Sequence, residues 1–113
     1  MAAKFEKIVI GNFEAIVKQL DDDILARAFS MKLVNSSDYK NGDVHVIVNI
    51  YDKYFMRNSS RASLTVTVVD YLGEIFISAI GSGGGTGVII DFNWGAEDEL
   101  IGIVEESLRS MGF

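Results

Sequence analysis

Residues 80–87 read Ile80-Gly81-Ser82-Gly83-Gly84-Gly85-Thr86-Gly87, five glycines in eight positions after the apolar run 75–79. Glycine loses more backbone freedom on folding than any other residue. Such a run therefore marks a place where the backbone must take positive φ or come close to another group. The spacing is not a dinucleotide fingerprint, which needs glycines at i, i+2 and i+5: counted from Gly81 the last position is Thr86, and from Gly83 it is Val88. No lysine follows the glycines as in a phosphate-binding P-loop, and Ile80 stands where a serine-hydrolase elbow needs its first glycine. What is left is a strand connection whose bare amides can cradle an anion, with Ser82, Gly83, Gly84 and Thr86 as candidate contacts. The plainer reading is a loop or bulge with no ligand.

His45 is the sole histidine, and the chain has no cysteine. Thiolate chemistry and disulfides are thereby excluded, and one histidine without cysteine does not make a usual zinc site. A hydrolytic triad needs a histidine held between an acid and a nucleophile. Ser63, Ser78 and Ser82 are available, but no spacing ties them to His45. Asp21-Asp22-Asp23 offers hard oxygen ligands, yet consecutive helical residues point around the cylinder, and the pattern reads as a solvated helix end where the helix stops or bends. Tyr51, Tyr54, Phe55 and Trp94 suggest a stacking platform for bases. The net charge of −6 and ten dispersed basic residues argue against a nucleic-acid partner. No cofactor or metal is expected.

These groups must be positioned by a chain of 113 residues, the size of one domain. No stretch approaches the roughly 18 apolar residues of a membrane span. The first residues lack the pattern of a signal peptide, so the expected location is the cytoplasm and no membrane partner is expected. Alternation marks a strand at 5–10. Asn12 is a suitable N-cap for a helix over about 12–24 carrying Phe13, Ile16, Val17, Leu20 and Ile24 at helical spacing. A strand with Phe29, Met31 and Leu33 ends at the turn-rich cluster Asn35-Ser36-Ser37-Asp38. Strands follow near 44–51 and 63–68. Leu72-Gly73-Glu74 turns into a strand at 75–79, a further β-type segment covers 88–94, and a helix opens at Glu97-Asp98-Glu99 and carries Ile101, Val104, Leu108 and Met111.

The order β-α-β-β-β-β-β-α, with short connections, requires a mainly antiparallel sheet of about five to six strands. Two amphipathic helices then cover one face, a single α+β domain over 1–113. Val44, Val46, Val48 and Ile50, with Leu64, Val66, Val68, Ile75, Ile77 and Ala79, are expected beneath the helices. The opposite face is expected to carry His45, Ile47, Asn49, Tyr51, Lys53, Arg61, Ser63, Thr65, Thr67, Val69, Tyr71, Phe76, Ser78 and Ile80. Of these, Ile47, Tyr51, Val69, Phe76 and Ile80 form an apolar patch larger than a monomer usually exposes.

The segments Ser36-Ser37-Asp38-Tyr39, Tyr51-Asp52-Lys53-Tyr54, Arg61-Ala62-Ser63-Leu64-Thr65-Val66-Thr67 and Ser78-Ala79-Ile80-Gly81-Ser82-Gly83-Gly84, with Gly42, carry a resemblance. Over nearly its whole length the chain resembles a family of small bacterial proteins known only as a domain of unknown function. The family's loop usually reads Ser-Gly-Gly-Ser, whereas here Gly85 and Thr86 follow Gly84. The resemblance implies a freestanding cytoplasmic domain and transfers no activity.

Three functional readings follow, the last being a partner protein that adds a strand to an exposed sheet edge lacking proline or bulges. The first is a non-enzymatic binding or assembly module, a homodimer that associates through the sheet. The second is a small-ligand or enzymatic pocket between sheet and C-terminal helix, gated by the Gly81–Gly87 loop. There Tyr51, Ser78, Ser82, Gly83, Gly84 and Thr86 would make contacts and Arg61 would anchor an anionic group.

Overall fold

The computed structural model describes residues 2–27, 30–55, 60–83 and 96–113. The chain forms β1 (Ala2–Ile10), α1 (Phe13–Arg27), β2 (Met31–Asn41), β3 (Val44–Phe55), β4 (Ser60–Tyr71), β5 (Glu74–Gly83) and α2 (Ala96–Ser110). The strands make one antiparallel sheet in the order β1-β5-β4-β3-β2. A meander runs from one edge inward, and β1 closes the other side by pairing with β5. The connection through α1 carries the chain from one edge of the sheet to the other. The expected β-type segment at 88–94 lies outside the described residues.

Asn12 caps α1, its Oδ1 accepting from the Ala15 amide at 2.9 Å. This satisfies one of the orphan donors of the first turn. Phe13, Ile16, Leu20 and Ile24 form its buried stripe. The helix does not end at the three aspartates but continues to Arg27. Lys18 bonds Asp22 at 2.8 Å, while Asp21 and Asp23 reach other elements, so the acids are held by partners and not merely solvated.

Both helices lie on one side of the sheet. Helix α2 packs on β5, β1 and β4 and against α1. Leu64, Val66, Val68, Ile75, Ile77 and Ala79 meet Leu100, Val104 and Leu108 in the core. Ser107 is fully buried between the helices and donates to Asp23 Oδ2 at 2.6 Å; Arg27 bonds Glu106 at 2.7 Å near the same seam.

Two further expectations are corrected. The cluster Asn35-Ser36-Ser37-Asp38 is strand, not turn. Its residues pair with Ile50, Asn49, Val48 and Ile47, and the reversal occurs later, at Gly42 with φ +58. Cross-strand pairing satisfies the backbone there, and the turn-forming side chains bond locally, as in Asn35 Oδ1 accepting from the Ser36 amide at 2.9 Å. The second correction is the face of β3. Tyr51 stands opposite Leu64 and Ile47 opposite Val68, so His45, Ile47, Asn49, Tyr51 and Lys53 lie on the helix side. Val44, Val46, Val48 and Ile50 lie on the other. Successive side chains alternate between faces, so the pairing register with β4 decides every position of β3 at once.

Candidate functional site

The side of the sheet away from the helices forms a regular grid. Its central row crosses all five strands as Ile8, Phe76, Val69, Val46 and Tyr39, each directly opposite the next. Neighbouring rows read Glu6-Ser78-Thr67-Val48-Ser37 and Lys4-Ile80-Thr65-Ile50-Asn35. Within β3 the column Val44, Val46, Val48 and Ile50 crosses these rows. All four are half-buried, while Ile8, Tyr39 and Ile80 are exposed. No helix covers this face among the described residues.

Ionisable side chains on the open face sit near its margins: Lys4 and Glu6 on β1, Glu74 on β5, Arg61 on β4, Asp52 on β3 and Lys32 on β2. Three are acidic and three basic, so the face is neutral on a molecule of net charge −6. Ser78 donates to Glu6 across the β1–β5 pair at a long 3.4 Å, and the Arg61 guanidinium stands 5.8 Å over the Tyr54 ring.

The helix side of β3 is the more polar one and is held by α1. Tyr51, 1% exposed, donates its hydroxyl to Asp21 Oδ1 at 2.6 Å. Asn49 Nδ2 donates to the same hydroxyl at 3.4 Å, and Ser36 Oγ donates to Asn49 Oδ1 at 2.5 Å. Burial, and then the bond to the Asp21 carboxylate, push the Tyr51 phenol well above its ordinary value. Farther along, His45 Nε2 lies 2.7 Å from Asp38 Oδ1 and the ring packs on Phe13 at 4.3 Å.

The candidate residues are therefore divided. Val69, Phe76 and Ile80 lie on the open face as expected. Ile47 and Tyr51 do not: they face the helices, and Val46, Val48 and Ile50 take their places. Among the proposed ligand contacts, Tyr51 is on one side of the sheet while Arg61, Ser78 and Ser82 are on the other. Gly83 ends β5, and Gly84 and Thr86 lie outside the described residues. Between sheet and α2 the space is filled by side chains at most 3% exposed, Leu64, Val66, Ile77, Leu100 and Val104 among them. An open groove of about 460 Å³ lies instead between Arg27, Lys53 and the first turns of α2, and none of the proposed contacts lines it.

Chemistry with His45 is likewise limited. Ser63, Ser78 and Ser82 stand on the far side of the sheet from it, so its pair with Asp38 has none of these serines as nucleophile. Among the described residues no group of three His, Cys, Asp or Glu side chains is placed to hold a metal, and no helix is long and apolar enough to cross a membrane. What the sequence did not show is the links that Asp21, Asp23, Asn49 and Ser107 make between elements, and the outward placement of the valine column of β3. The column left a signal: 44, 46, 48 and 50 are all aliphatic, whereas 45, 47, 49 and 51 mix imidazole, amide and phenol.

A five-stranded antiparallel sheet roofed on one side by two hydrogen-bonded helices and, among the described residues, bare on the other defines a small two-layer α+β module. The chain belongs to a family of unknown function, DUF6054, which it matches over residues 1–112. No curated protein matches it. Among solved structures it is similar to the Pseudomonas aeruginosa protein PA94, a protein of unknown function described as a putative regulator. The identity is 10%, with 89% of this chain and 79% of that chain covered and a TM-score of 0.52. That likeness concerns the fold. A Thermus thermophilus protein, TTHA0849, aligns at 9% identity over 97% of this chain and 99% of its own, with a TM-score of 0.38. Ara h 8.0201 aligns at 13% over 96% and 99%, with a TM-score of 0.41.

Proposed function

We propose that the protein is a non-enzymatic assembly module of the cytoplasm, a homodimer whose copies pack their open sheet faces together. The observation that carries this reading is the uninterrupted apolar row Ile8-Phe76-Val69-Val46-Tyr39 crossed by the β3 column. Apolar surface of that continuity is removed from water when another surface covers it. Five strands about 4.8 Å apart, and about ten residues rising about 3.3 Å each, give a face of roughly 24 × 33 Å, or about 800 Å². That is the area each partner contributes to an interface of standard size, about 800 Å². A second copy is the occupant that suits the charge. A neutral face meeting its own copy brings together no net charge, whereas a basic partner would be drawn to the acidic remainder of the molecule. The cytoplasmic placement rests on the family resemblance.

The test is light scattering coupled to gel filtration at low micromolar concentration. The wild type is expected at twice 12.4 kDa. Val69→Glu, at the centre of the face, is expected to elute as a monomer with unchanged far-UV circular dichroism, since pairing would bury two unpartnered carboxylates. A monomeric wild type overturns the proposal.

A further inference from the structure

We infer that β2 pairs edge to edge with β2 of a second copy, antiparallel, about a two-fold axis at Tyr39. This contact uses a different surface from the open face and, with only residues 37–41 pairing on themselves, is the weaker of the two: it forms above the low micromolar concentrations at which Val69→Glu elutes as a monomer. Every residue of β2 after Met31 is exposed, and among the described residues the strand has one backbone edge unpaired. Such an edge is a template for another strand, and proteins usually blunt it with proline, shortness or a bulge. The chain contains no proline. β2 runs 11 residues, and its irregularity falls between Leu33 and Asn35, leaving Ser36–Asn41 in regular register.

The sequence of that stretch chooses its own partner. In a two-fold antiparallel pair, directly opposed residues share a face of the sheet. An axis through Tyr39 sets Asp38 opposite the second copy's Lys40 and Lys40 opposite its Asp38, both pairs on the helix side. Axes through Asp38 or Lys40 set like charges against each other. An axis through Ser36 sets Lys40 against Lys32, and one through Ser37 pairs neither charge with its opposite. Lys40 has no ion-pair partner among the described residues, and Asp38 meets only His45. Tyr39 is 60% exposed and ends the apolar row of the open face, so the same axis stacks two tyrosines and continues that row into the second copy. The helices of both copies then lie on one side of a continuous ten-stranded sheet.

The chain's lack of cysteine makes the test direct. Tyr39→Cys is introduced into the Val69→Glu background, where the face contact is removed. Opposed Cα atoms in an antiparallel pair lie about 4.5–5.5 Å apart, inside the range a disulfide spans. Mild oxidation is expected to give a covalent dimer at least about tenfold faster than for Lys32→Cys, which lies off the axis. In the same background without cysteine, Asp38→Lys is expected to weaken association about tenfold by turning two attractions into repulsions. Asp38→Lys combined with Lys40→Asp is expected to restore it, although the His45 contact is lost in both. Equal oxidation of the two cysteine variants, or failure of the double exchange to restore association, overturns the inference. Failure of the open-face reading shows separately, as a wild type whose mass is insensitive to Val69→Glu.

Discussion

Replacing Tyr51 by phenylalanine removes one hydroxyl and nothing else from the buried link between β3 and α1. The phenol donates to Asp21 at 2.6 Å, a hydrogen bond to a carboxylate. Bonds of this kind contribute about 1.5–3 kcal/mol. Asp21 is itself half-exposed and recovers water when the donor goes, so the lower end applies, about 1.5 kcal/mol at pH 7. With an unfolding entropy of about 2.1 cal/mol/K per residue, the melting temperature falls by about 6 °C. The pH dependence is the sharper test. Burial, then the Asp21 bond, raises the phenol's pKa in the folded protein above the value near 10 that it has when unfolded. A raised folded-state pKa gives stability that is whole below pH 10 and is lost as pH climbs beyond it, because the unfolded phenol ionises first. The loss is about 1.4 kcal/mol per pH unit. The phenylalanine ring of the variant has no proton to lose, and the exposed tyrosines 39, 54 and 71 are common to both proteins. Wild type and Tyr51→Phe are therefore expected to differ by about 1.5 kcal/mol from pH 7 to 9 and to converge near pH 11. Urea unfolding of the two at one protein concentration measures this. A gap that stays constant to pH 11, or no gap at pH 7, refutes the reasoning.

Other outcomes follow from the same structure. Leu72 is 68% exposed and held at φ +55 beside Gly73 at φ +87, in the β4–β5 hairpin turn. Two positive φ values in a two-residue turn favour Asn-Gly, so Leu72→Asn is expected to raise stability by about 0.5–1 kcal/mol in thermal unfolding. Ser107→Ala leaves Asp23, among the described residues, with Gln19 as its remaining donor and is expected to cost about 1–2 kcal/mol, read as faster amide hydrogen exchange in the second half of α2. Unchanged exchange there would show that Asp23 does not tie the helices. Val69→Glu is expected to yield monomers, and the Asp38/Lys40 exchange is expected to break and then restore edge pairing.

Much of the architecture was legible from local patterns. The helical spacing of Phe13, Ile16, Leu20 and Ile24, the Asn12 cap, the turn at Leu72-Gly73 and the alternation of 64–68 and 75–79 each depend on neighbours in the chain, and each is present in the structure. The candidate site was legible only in part. Val69, Phe76 and Ile80 fall on the expected face because the other set of β4 and β5, Leu64, Val66, Val68, Ile75, Ile77 and Ala79, is apolar throughout, while theirs includes Ser63, Thr65, Thr67 and Ser78. On β3 both alternating sets carry apolar side chains, and the large ring of Tyr51 resembles a surface aromatic until its hydroxyl is seen to reach Asp21, 30 residues earlier. The acids of α1 were read as solvated for the same reason: their partners Tyr51 and Ser107 are remote in sequence.

Periodicity and turn chemistry act over a few residues, and they suffice to specify an antiparallel sheet with two amphipathic helices. Which face of β3 the helices cover emerges when the strands pair. One step of register against β4 exchanges Val44, Val46, Val48 and Ile50 with His45, Ile47, Asn49 and Tyr51, and that step is set by how Tyr51 packs beneath α1.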